Sequence, residues 1–135
     1  GDPECQVILP RLKSDLLEII NYSVKNKLNK IKLKWKKEKS MTIVLCSKGY
    51  PSKYKKNRSI KNLNKIKLKK NFSIFHAGTK ISKNNIVSNG GRVLNITGVG
   101  NKFFKLRLEI IKIIKKINWK SGFYRQDIGW RVIKK

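Results

Sequence analysis

A chain of 135 residues with 39% hydrophobic and 9% aromatic residues can bury one real core, but is too short for two independent domains of ordinary size. Its formal net charge of +27 comes from 34 basic against 7 acidic residues. That excess predicts weak, salt-sensitive attraction to polyanions, and the hydrophobic content excludes a wholly disordered tail.

The charge itself is built from 28 Lys and only 6 Arg, spread along the chain rather than gathered in one tract. Base readout and bidentate phosphate clamps favour Arg. Lys, together with 18 Ile and 13 Asn, belongs to the residue types whose codons can be written with A and T alone, so compositional drift accounts for the charge better than a selected nucleic-acid surface. A basic nucleic-acid-binding module remains the alternative reading.

In chain order, "GDPE" sets two carboxylates, Asp2 and Glu4, on a Gly/Pro-shaped turn. Such a pair suits orientation of an amine substrate or support of a Mg²⁺-nucleotide site, or else a solvated turn leading into a helix. Leu12, Leu16, Ile19, Ile20, Val24 and Leu28 recur at three- and four-residue steps and predict a helix, with Ser14 as its cap and Asp15 and Glu18 in its first turn. The Lys-rich stretch "KNKLNKIKLKWKKEKS" follows as a connection and candidate domain boundary.

"MTIVLCS" (41–47) predicts a buried strand, stopped by the turn signals of "KGYPSKY". "NFSIFHAGT" predicts a second strand, and "KISKNNIVSNGGRVLNITGVG" an up-and-down pair with turns at "KNN" and "NGG". "NKFFKLRLEIIKIIKKINW" is the clearest helix, with Asn101 as cap, a stripe of Phe103, Leu106, Ile110, Ile113 and Ile117, and Phe104, Ile111 and Ile114 broadening it. The tail "SGFYRQDIGWRVIKK" returns as irregular chain or a short strand. Strands followed by a packed helix give an α+β class: a small antiparallel sheet domain with a long helix against it.

Few residues invite chemistry. "GVGNKF" lacks the third glycine and the distal acid of a dinucleotide fingerprint, so Gly98 and Gly100 are expected to shape the strand-to-helix turn. His76, the single histidine, has no partner for catalysis or ligation and is expected mid-strand as a hydrogen-bonded structural imidazole. Arg92 fits either an anionic substrate or a surface ion pair. Cys5 and Cys46 have no ligand spacing, which leaves reduced thiols and no metal site, with Cys46 a small buried hydrophobe. No apolar run spans a bilayer, so no membrane association and a cytoplasmic location are expected.

Taken in order, "GDPECQVILPRLKSDLLEII", "TIVLCSKGYPSKY", "FHAGTK", "NGGRVLNITGVG" and "WKSGFYRQDIGWRVI" closely resemble the carboxy-terminal part of the phosphoribosylamine-glycine ligase family, also called glycinamide ribonucleotide synthetases. The resemblance implies an ATP-grasp enzyme that joins glycine to phosphoribosylamine through a glycyl phosphate, with ATP and Mg²⁺ as participants and ADP and phosphate as products. It implies that residues 1–38 are the last loop and helix of the ATP-grasp domain, residues 11–29 being its closing helix, and that 39–135 form the small carboxy-terminal domain.

It further implies that Gly1, Asp2, Pro3 and Glu4 neighbour the substrate. The ligands for ATP and Mg²⁺ would lie upstream, in an ATP-grasp half of the same polypeptide, so the 135-residue piece alone is expected to be inactive. A monomer with no specific nucleic-acid partner is expected. Cys5, Lys48 and Gln126 depart from the family's usual Thr, Gly and basic residue, and Lys48 leaves the turn before Tyr50 undetermined.

Overall fold

The computed structural model describes residues 1–133. Its elements are α1 (Glu4–Ile8), α2 (Leu16–Val24), β1 (Lys39–Ser47), β2 (Phe72–His76), β3 (Thr79–Ser82), β4 (Asn85–Ser88), β5 (Arg92–Gly100), α3 (Phe103–Lys116), β6 (Gly122–Phe123) and α4 (Trp130–Ile133). The class is α+β, as the strand-then-helix order predicts.

Four strands form an antiparallel sheet in the order β2-β5-β1-β6, and β3 and β4 form a separate hairpin. The β-branched runs of β1 and β5 suit the centre of the sheet. Strand alternation gives the sheet two different faces. On one, Met41, Ile43 and Leu45 of β1 stand beside Leu94 and Ile96 of β5, and Leu106, Ile110 and Ile114 of α3 close over them. On the other, the register sets Thr42, Val44 and Cys46 beside Thr97, Asn95 and Arg92. This polar face meets α1, which lies against β1 and β5.

The helix expected between Leu12 and Leu28 is shorter than its apolar spacing predicts, α2 running from Leu16 to Val24. Asp15, not Ser14, is its cap, because the Asp15 carboxylate accepts from the Glu18 amide at 2.9 Å. The Ser14 hydroxyl instead accepts from the Lys34 amide at 2.7 Å. This bond ties the Lys-rich connection back onto residues 11–14, where Leu12 and Trp35 also make an isolated bridge. At the other predicted cap, Lys102 rather than Asn101 precedes α3, with no side-chain bond to the helix. The α3 stripe buries Leu106, Ile110 and Ile114 and half-buries Phe103, Ile111 and Ile113, while Phe104 faces solvent.

The "KNN" turn joins β3 to β4 with Lys83 and Asn84 both at positive φ, the geometry a two-residue hairpin needs. The "NGG" segment does not join a hairpin pair. β4 pairs with β3, whereas β5 enters the main sheet between β1 and β2. Gly98 and Gly100 lie inside β5 rather than in a turn. At Gly98 a side chain would collide with the Phe72 ring and Leu106, so the glycine admits close packing across the core face.

Candidate functional site

The acidic turn is held by the polar face of the sheet. Pro3 precedes α1, whose first turn carries Glu4, and the Cys5 amide donates to the Gly1 carbonyl at 3.1 Å. This tight start directs the Asp2 carboxylate onto β5. There Asn95 Nδ2 donates to Asp2 Oδ1 at 2.7 Å, and Arg92 Nε pairs with Asp2 Oδ2 at 3.2 Å. One helical turn later Gln6 Nε2 adds a third donor to Oδ1, at 3.2 Å.

The three donors differ in strength. Asn95 is fully buried, at 0% exposure, so its bond forms where water does not compete. The Arg92–Asp2 pair has 45% and 30% of its side chains exposed, so it is worth ~0.2–1 kcal/mol and weakens with salt. Asn95 Oδ1 and Gln6 Oε1 are buried with no hydrogen-bond partner. Both amides are therefore committed through their donor ends, since flipping either would set a carbonyl oxygen against a carboxylate.

Cys46 stands opposite Arg92 in the β1–β5 register. Burial pushes its thiol up from the ordinary value, Arg92 pulls it down by a smaller amount, and Asp2 adds to the rise. The thiol thus stays protonated and unreactive at neutral pH. It is half-buried, not the fully buried hydrophobe that its sequence context predicts, because it faces the polar side of the sheet.

Of the residues singled out from sequence, Asp2 and Arg92 meet directly. Glu4 stays exposed and folds back beside Gly1. His76 is the last residue of β2 rather than a mid-strand one, and its Nδ1 lies 3.0 Å from the Thr79 hydroxyl. Asn95 and Gln6 were not signalled by any motif. The available signal for Asn95 was an amide inside the β-branched run "RVLNIT", a residue type depleted from strands unless a partner awaits it.

Over residues 40–131 the sequence matches the family described as phosphoribosylglycinamide synthetase, C domain. The chain belongs to that family. The matched segment includes Arg92 and Asn95, whereas the acidic turn precedes it. The similarity to whole ligases nevertheless extends over both parts. The chain is 42% identical over 135 residues to the phosphoribosylamine-glycine ligase of Brucella melitensis, covering 100% of this chain and 32% of that protein. It is also 42% identical over 134 residues to the trifunctional purine biosynthetic protein adenosine-3 of Gallus gallus, covering 98% of this chain and 13% of that protein.

Among solved structures, the phosphoribosylamine-glycine ligase of Thermotoga maritima superposes with a TM-score of 0.68 at 27% identity, over 94% of this chain and 30% of that one. The C domain and its preceding turn thus span about a third of the ligases they resemble. Among the described residues no group of three or more His, Cys, Asp or Glu gathers as a metal site. The Asp2 carboxylate is taken up by its three donors. The described residues do not fit a Mg²⁺ site. Among the same residues no helix is long and apolar enough to cross a membrane.

Proposed function

We propose that this chain is the carboxy-terminal part of an ATP-dependent ligase joining glycine to phosphoribosylamine, giving glycinamide ribonucleotide, ADP and phosphate in purine biosynthesis. The observation that carries the reading is the 42% identity over all 135 residues, in which the acidic turn and the C domain occur together in one ligase. The geometry adds a reason for their coupling, because the turn's carboxylate is gripped by Arg92 and Asn95 of the C domain.

In this reading residues 1–38 close an ATP-grasp domain and 39–135 form the domain that packs beside its cleft. Gly1 to Glu4 neighbour the substrate, and Arg92 acts by holding Asp2 instead of contacting a substrate anion. The nucleotide and Mg²⁺ are held by parts of the ligase outside these residues, and the enzyme works as a cytoplasmic monomer. Phosphorylation of the glycine carboxylate would give the leaving group that the amine displaces.

The test is a chimera of the Thermotoga maritima ligase with its matching segment replaced by this chain, assayed for ADP formation dependent on both glycine and phosphoribosylamine. Activity in the chimera, and none from the 135-residue chain alone, is the expected result. A folded, nucleotide-binding chimera with no turnover would overturn the assignment, as would ligase activity of the chain by itself.

A further inference from the structure

Two Lys-lined concavities differ in one respect that the overall charge does not explain. The first, of about 430 Å³, is lined by Lys48, Lys53, Tyr54, Lys55, Arg58 and Ser121, with no carboxylate. The second, of about 300 Å³, gathers Lys67, Lys69, Lys112, Lys115 and Lys116 around Glu109. Glu109 pairs with Lys69 at 2.7 Å and Lys112 at 3.0 Å, so its cations already have an anion. Among the described residues, every ion pair uses side chains other than the four cations of the first cavity.

The loop carrying those four cations is anchored at both ends. Gly49 sits at φ +99°, where any side chain would overlap the Lys53 carbonyl, so the loop closes tightly on itself. The Tyr50 ring is seated on Gly91 and meets Tyr54 edge-on at 6.3 Å. The Lys48 amide donates to the Ser121 carbonyl at 2.9 Å, and Asn57 and Arg58 bond to Ser88 at the far end of the loop. A pinned loop loses little backbone freedom when its cations converge on a ligand.

We propose that this loop, residues 48–58 with Ser121, is a binding site for a small, multiply ionised phosphate compound. Four unpaired cations around one concavity repel each other, and an anion with several charges relieves that repulsion while each ammonium or guanidinium donates a charge-assisted hydrogen bond. The volume falls within the range of small-molecule sites. The lining of this concavity includes neither Asp2 nor its donors, and its test does not depend on the ligase assignment.

The test is a titration of the ¹⁵N-labelled chain with tripolyphosphate at about 0.15 M salt, where long-range attraction is screened. Saturable amide shifts confined to residues 48–58 and 121 are expected. The triple variant Lys53→Gln, Lys55→Gln, Arg58→Gln should weaken binding about tenfold or more, whereas Lys67→Gln, Lys115→Gln, Lys116→Gln, which removes as much charge, should change it less than about twofold. Equal weakening by both variants, or shifts spread over both concavities, would reduce the binding to diffuse attraction and overturn the site. Tighter binding of a dodecathymidylate than of tripolyphosphate, with the wider footprint of a strand, would overturn it in favour of nucleic acid.

Discussion

The two faces of the main sheet are built from alternate residues of the same strands, yet they do different work. The face under α3 is closed by Ile43, Leu45, Leu94, Ile96 and Ile110, whose burial needs only hydrophobic bulk and tight packing. The face under α1 carries Asn95, Thr97, Thr42 and Arg92, and there the Thr97 hydroxyl donates to that of Thr42 at 2.8 Å. Its contacts are directional, and its central one is made to a residue more than ninety positions away, Asp2. One face stabilises the domain and the other fixes a turn.

The contrast sets the order of expected effects. Ile110→Ala, at a fully buried position of α3, should lower stability by ~2–5 kcal/mol in urea unfolding, with every amide of the sheet losing protection together. Asn95→Ala removes the buried donor to Asp2 and should cost about 1–2 kcal/mol. Its signature is local: hydrogen exchange should quicken at residues 4–8 far more than in α3. Uniform loss of protection in this variant would erase the distinction between the faces.

Arg92→Gln deletes the half-exposed ion pair and should cost ~0.2–1 kcal/mol, a difference that shrinks when salt is raised. Urea midpoints at low and high salt check it. The smallest effect lies off both faces, at Glu109. Hydrogen bonds from Lys69 and then Lys112 lower its carboxyl from 4.5 to about 2. A lowered folded value means that the stabilisation is complete above about 4.5 and is lost as pH falls toward 2. Glu109→Gln should therefore lower the melting temperature slightly at neutral pH, where the carboxylate's contribution is complete, and its difference from the parent should vanish as pH falls toward 2.

The apolar face was legible in the sequence because period-2 and period-3.6 patterns report burial directly. "MTIVLCS" and the α3 stripe name half of the core, Met41, Ile43, Leu45, Leu106, Ile110 and Ile114. Element ends were less so. Ser14 and Asp15 are both competent caps, and only the long-range bond from Lys34 to Ser14 decides which one is free for the helix. Gly98 and Gly100 read as turn residues because a sequence shows the missing side chain but not what stands in its place, the Phe72 ring at Gly98 and Leu106 at Gly100.

The site was half legible. Local chemistry marked the "GDPE" turn and the Arg after "NGG", but nothing in the spacing of Asp2, Arg92 and Asn95 shows that they meet. That meeting depends on strand register, which places Asn95 on the face opposite Leu94 and Ile96.

The most direct test of this account is the side-chain amide of Asn95 in ¹⁵N spectra of the chain and of its Asp2→Ala variant. If β5 holds the acidic turn, the Asn95 Nδ2 resonances move strongly when the carboxylate is removed, while the Ile110 and Ile96 amides stay in place. Asn95 resonances that coincide in the two proteins would show that the turn is not seated on the sheet.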